Sequence, residues 1–231
     1  MQALALESCV RLLERGVVDW CAPTLGGLKP ASMFSVARFH ELGRTPCGRR
    51  VMAECAPRDL AAAVEGLDAR LAPLGVRLRV LTQRDGSSML FVWRPDLLSR
   101  FAQRDAEAAL LELEGYDVAD PAACVELLRS RVRDFDACPR NPDGTDRFPH
   151  EVGFLLGYPL DDVMGFVRDR RAVRARGCWN VYSDVPRACR VFRLYDACLT
   201  MARLRRDAGD PLESLVEARP HDERALLALY A

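Results

Sequence analysis

The sequence predicts an α+β fold: one helix-rich domain over residues 1–231, with a small, mostly antiparallel sheet of three to five strands. Three observations carry that reading. Apolar residues recur at spacings of three and four through most of the chain, the pattern of one-sided helices. One segment, VRLRVLTQRDGSSMLFVWR (76–94), alternates apolar with polar residues around an Asp85-Gly86 turn, the pattern of a hairpin. No internal repeat, low-complexity tract or long linker divides the 231 residues, 49% of which are apolar, enough for a substantial core.

Each element follows from local chemistry. Residues 3–15 carry apolar positions at Leu6, Cys9, Val10 and Leu13, continuing to Val17, and read as an amphipathic helix. Pro23, Gly26, Gly27 and Pro30 then predict a loop that feeds an extended run at Ala31–Val36. Pro57 suits the first position of a helix whose buried face is Leu60, Ala63, Val64, Leu67 and Leu71, ending near Gly75. After the 76–94 hairpin, residues 95–135 read as three helical pieces, broken at Asp105 and at Asp120-Pro121, where aspartate can cap the helix that follows. A polar loop, CPRNPDGTDR, leads to a helix opened by Pro149 and broken by Pro159, which resumes through Arg170. GCWNVYSD reads as a short strand. Asp184 and Pro186 begin a long helix burying Val191, Phe192, Tyr195, Cys198, Leu199 and Ala202, and a small helix follows Pro211, for seven to nine helices in all.

Composition excludes several function classes. Acidic and basic residues balance at 33 each without long like-charge runs, so a cationic surface for nucleic acid is not expected. No uncharged apolar run approaches the ~18 residues of a membrane span, and the amphipathic first residues do not read as a signal peptide, so a soluble, cytoplasmic protein is expected. Nine cysteines occur with no CxxC pair, which argues against zinc ribbons and thioredoxin-type centres. Cys9, Cys124, Cys189 and Cys198 fall at apolar helical positions and read as reduced core thiols. The chain has no isoleucine, two asparagines and a single lysine, Lys29, among its 33 basic residues.

Lys29 follows two glycines and precedes a proline. In a loop of that kind the backbone amides can approach an anion, and lysine alone offers a deprotonatable amine, although the spacing is not that of a phosphate-binding Walker loop. FPHEVGFLLGYP (148–159) is the second candidate. With Pro149 at the first helical position, Glu151 falls at the third, where a carboxylate complements the helix dipole, and His150 at the second, where the dipole favours a neutral ring. Neighbouring helical residues point about 100° apart, so the two are not a ready-made dyad. His40 and His221 have no surroundings that suggest a metal site, and none is expected. In GCWNVYSD, Trp179 and Tyr182 are placed on opposite faces of a strand, with Asn180 sharing the face of Tyr182. Cys138-Pro139 is too short a pattern to indicate haem, and NPDGTD (141–146) lacks the later glutamate of a calcium loop.

The segments CAPTLGGLKPASMF, FPHEVGFLLGYPLDDVMGFV and GCWNVYSD, in this order, resemble an uncharacterised bacterial family, domain of unknown function 3793, over roughly residues 8–205. Thr24, Lys29, His150, Glu151, Tyr158, Trp179 and Tyr182 match its motifs, and Cys178 and Asn180 depart from the commoner pattern. The resemblance implies no activity and hints at iron or redox physiology in anaerobic bacteria. Three functions stay open at this point. The first is a binding or accessory protein whose pocket gathers Lys29, His150 and Tyr182 around a small anionic ligand or an unspecified cofactor. The others are an enzyme using Lys29 and His150 in amine or acid-base chemistry, and a protein-interaction module.

Overall fold

The computed structural model describes residues 2–44, 47–141 and 147–217. Its elements are α1 (Gln2–Leu25), β1 (Ala31–Ala37), β2 (Phe39–Arg44), β3 (Arg50–Glu54), α2 (Pro57–Leu71), β4 (Arg77–Gln83), β5 (Ser87–Trp93), α3 (Pro95–Ala102), α4 (Asp105–Leu113), α5 (Pro121–Ala137), α6 (Val152–Leu155), α7 (Leu160–Arg168), β6 (Ala175–Arg176), β7 (Asn180–Val181) and α8 (Val185–Asp207). Single 3₁₀ turns occupy Ala72–Leu74 and Leu212–Leu215. The class is α+β, as the sequence predicts: a three-stranded antiparallel sheet in the order β1-β5-β4, and two two-stranded ribbons, β2-β3 and β6-β7.

The central sheet separates two apolar clusters. On one face Phe34, Val36, Leu78, Leu90 and Val92 meet the buried stripe of α1 and the predicted inner face of α2, Leu60, Ala63, Val64, Leu67 and Leu71. On the other face Phe91, Trp93 and Leu81 meet α3, α4, α5 and α6. Alternate residues of β5 therefore serve different cores, which is why its sequence reads as a nearly continuous apolar run. A bulge between Val80 and Thr82 turns Thr82 toward α5, where its hydroxyl donates to Asp136. A third cluster joins Leu28, Leu97 and Phe101 to Trp179, Val181, Ala188, Val191 and Tyr195, and so seats α8.

Helix ends follow their predicted chemistry where a cap is local. Asp120 accepts the amides of Ala122 and Ala123 with Pro121 next to it, and Asp184 accepts that of Arg187. Gly75 ends the turn after α2 in the left-handed region, φ 77°.

Four expectations change. The first helix does not stop at residue 15. Cys9, Leu13, Val17, Val18, Cys21, Ala22 and Leu25 form one fully buried stripe, and that burial carries α1 through Pro23 to Leu25. Residues 39–54, where the sequence marks no strand, form the β2-β3 ribbon, which contains His40. It is held by the Arg38–Glu54 and Arg50–Glu41 pairs and by His40, whose Nε2 lies 3.3 Å from the Ser8 hydroxyl. Cys9 is no free thiol: it is disulfide-bonded to Cys55, which ties α1 to the segment following β3. Cys124 is a buried thiol as read, but Cys189 is exposed and Cys198 only half-buried, because α8 turns a narrower face inward than its apolar spacing suggests. The calcium-like NPDGTD loop falls largely at 142–146 and His221 at the terminus, both outside the described residues.

Candidate functional site

Two glycine-terminated helix ends build the centre. At the end of α1 the amide of Leu28 bonds the Pro23 carbonyl (2.8 Å) and that of Gly27 bonds Thr24 (3.1 Å), with Gly27 at φ 67°. At the end of α6 the amide of Tyr158 bonds Gly153 and that of Gly157 bonds Phe154, both 2.9 Å, with Gly157 at φ 75°. Each is the bonding pattern in which a left-handed residue reverses the chain and satisfies the last carbonyls of a helix. The two reversals meet. A Cβ on Gly157 would sit 2.6 Å from Cδ of Pro30, so only glycine lets the chains approach this closely. That contact sets Lys29 against Tyr158, although 129 positions separate them.

Lys29 is buried, at 8% exposure. Its place after two glycines predicts an open loop with available amides. Those of Gly26, Gly27 and Leu28 instead close the end of α1. Its Nζ lies 5.3 Å from the centre of the Tyr158 ring and 5.9 Å from that of Tyr195. Among the described residues it is paired with no carboxylate, and its charged-state neighbours are the thiols of Cys21 and Cys178. Burial pushes the Lys29 ammonium down to about 8, with those thiols pulling it back upward, and burial pushes the Cys21 thiol up to about 12. Thr24, fully buried, shares a 2.9 Å hydrogen bond with Ser32 and completes this polar centre.

Tyr158 also lines a cavity of ≈ 290 Å³, together with Phe148, His150, Phe166, Trp179 and Asn180. Tyr158 stacks on Trp179 at 5.3 Å and 28°, and its hydroxyl reaches the Cys178 carbonyl at 3.3 Å. His150 lies 5.4 Å from the Phe148 ring and 5.2 Å from that of Phe166. Arg170 Nη2 lies 2.8 Å from His150 Nε2, within hydrogen-bond distance.

The structure thus gathers His150, Tyr158 and Trp179 around one hollow, whose lining does not include Lys29 or Thr24; Lys29 reaches the Tyr158 ring at 5.3 Å. Glu151 and Tyr182 are turned elsewhere. The helix expected to open at Pro149 begins only at Val152, because residues 149–151 make a tight turn whose carbonyls accept amides three residues on. Glu151 consequently forms no dipole cap. Its carboxylate takes the Tyr116 hydroxyl at 3.1 Å and pairs with Arg131, beside a second cavity of ≈ 590 Å³ that, among the described residues, shares His150, Phe148 and Val163 with the first. Tyr182 contacts Phe166 edge-on and donates to the Arg170 carbonyl, so it braces the wall rather than lining it. GCWNVYSD is a tight ribbon rather than a straight strand, closed by the Gly177 amide on the Trp179 carbonyl, so Trp179 and Asn180 border the same hollow.

Sequence reasoning missed the residue that fixes this wall. Asp162, 3% exposed in the first turn of α7, accepts four hydrogen bonds: from the Trp179 indole (2.7 Å), the amides of Tyr182 and Ser183, and the Ser183 hydroxyl (each 2.8 Å). An Asp161-Asp162 pair at a helix start is ordinary dipole chemistry, and nothing local marks the second carboxylate as the anchor of a turn 17 to 21 residues away. Among the described residues no three His, Cys, Asp or Glu side chains group as metal ligands, and no helix is long and apolar enough to cross a membrane.

The model of the family described as protein of unknown function (DUF3793) matches residues 17–216, and the chain belongs to that family. No curated protein and no solved structure gives a significant match.

Proposed function

We propose, for this member of the family, that the protein is a small-ligand or cofactor binding protein whose site is the ring-walled cavity at His150, Tyr158 and Trp179. The observation that carries this reading is the concave, mostly apolar hollow bordered by a stacked Tyr158–Trp179 pair and by the His150 imidazole. Its ≈ 290 Å³ lies at the lower end of ordinary small-molecule sites, about 300–1,000 Å³, and suits one or two fused rings. Flat aromatic walls favour a flat ligand, which gains about 0.5–1.5 kcal/mol per ring pair beyond the area it buries. Lys29, the cation expected to hold an anionic ligand, is not among the residues that line the hollow, so the rings rather than an ammonium define the ligand class.

Native mass spectrometry and absorbance scanning of the full chain, purified anaerobically from its host, test the proposal. A retained ring-containing small molecule is expected, lost in Trp179→Ala while the circular dichroism spectrum stays unchanged. A protein that retains no such molecule and gains no thermal stability from any of a set of planar ring compounds overturns it.

A second reading, an enzyme using amine chemistry, is favoured by one observation: Lys29 is a buried primary amine without a carboxylate among the described residues. Borohydride trapping of an imine on Lys29 with a carbonyl compound from the host's metabolite extract supports it. Turnover unchanged in both Lys29→Ala and His150→Ala removes it.

A further inference from the structure

Several polar groups bordering the cavity are already bonded within the protein. Asp162 spends its carboxylate on four donors. The Tyr158 hydroxyl donates to the Cys178 carbonyl, the amide of Gly153 bonds His150 and that of Gly177 bonds Trp179. His150 Nε2 is held by Arg170. The side-chain amide of Asn180 remains: among the described residues it has no hydrogen-bond partner, and it stands beside the Tyr158–Trp179 stack at the edge of the hollow.

A carboxamide carries a donor and an acceptor side by side in one plane, and its natural complement is a second edge with an acceptor and a donor at the same spacing. On the reading of the cavity as a ligand site, we infer that Asn180 is its specificity-determining residue, and that the ligand is an uncharged planar heterocycle presenting an amide-like edge, as in a nucleobase, a nicotinamide or the pyrimidinedione end of a flavin. The ring stacks against Trp179 and Tyr158 while its edge pairs with Asn180. A hydrocarbon ring of equal size leaves that carboxamide unpaired as water is expelled, which is how a polar group rejects an analogue lacking the matching function.

The test is binding to the full chain, read by calorimetry and by thermal shift, of adenine, nicotinamide and lumazine against indole, naphthalene and benzoate. The edge-bearing rings are expected to bind at least about tenfold more tightly than indole or naphthalene. Asn180→Ala removes that margin while changing indole binding less than about twofold, and Asn180→Asp, which keeps the shape but offers acceptors only, removes it as well. Equal binding of adenine and indole, a margin that survives Asn180→Ala, or tighter binding of benzoate than of any neutral ring overturns the inference and leaves the cavity reading standing. If no ring compound of either set binds, the cavity reading fails and the inference with it.

Discussion

Replacing Lys29 by methionine, which keeps the length and removes the charge, should stabilise the protein near neutral pH and abolish one component of its pH dependence. The ammonium is held down to about 8 by burial, against about 10.5 in the unfolded chain. Between those values the folded state binds fewer protons than the unfolded one, so stability rises with pH through that window; below about pH 8 the whole cost of burying the charge is present. At 1.36 kcal/mol per pKa unit this cost is about 3 kcal/mol, partly offset by attraction to the Tyr158 and Tyr195 ring faces. Lys29→Met is therefore expected to gain about 1–3 kcal/mol at pH 7, and about 2 kcal/mol of the difference from wild type should vanish by pH 10. Urea denaturation at the two pH values, followed by circular dichroism without reductant, measures this as a difference. The difference matters, because the Cys21, Cys124 and Cys198 thiols, raised by burial to about 12, 11 and 11, impose the opposite slope on both proteins. Lys29→Arg keeps the charge at every pH and should lack the alkaline recovery. A Lys29→Met variant less stable than wild type at pH 7, by an amount that does not change with pH, would refute the reasoning and mark Lys29 as a paired structural cation.

Three further outcomes are expected. Asp162→Ala strands four donors beneath the Trp179 turn and should cost at least about 3 kcal/mol in urea denaturation, with a shift in tryptophan emission as the indole loses its acceptor. Gly157→Ala forces a side chain into a left-handed position already filled by Pro30 and should cost about 2 kcal/mol or more, with loss of thermal shift by the ring compounds because Tyr158 moves with it. Thiol titration of the denatured, unreduced chain should find seven of the nine cysteines, and reduction or Cys55→Ala should lower stability by about 2–4 kcal/mol, the range for a bridge that closes a loop of 46 residues.

Much of the scaffold is local and therefore legible. The buried face of α2, the 76–94 hairpin, and the Asp120 and Asp184 caps depend on spacing and on side chains within three residues of the groups they serve. The ribbon at 39–54 is different: its polar strands are held by the side chains of Ser8, Glu54 and Arg50, and its neighbour by a disulfide across 46 positions, none of which a period-two pattern announces. The extension of α1 through Pro23 likewise needed the sheet and α8 on which its stripe is buried.

By itself the sequence determined the class, most helix boundaries, and the residue types at the centre: the lone lysine after two glycines, the histidine in a ring-rich turn, the tryptophan of a short ribbon. Tertiary structure alone decided how these combine. Two chain reversals, each with glycine at positive φ, press Pro30 against Gly157 and bring Tyr158 into contact both with Lys29 and with the His150–Trp179 cavity. The physical reason is reach. Caps, turns and periodicity act over a few residues and are written in local composition, whereas burial of an amine or closure of a cavity is set by which distant surfaces exclude water together.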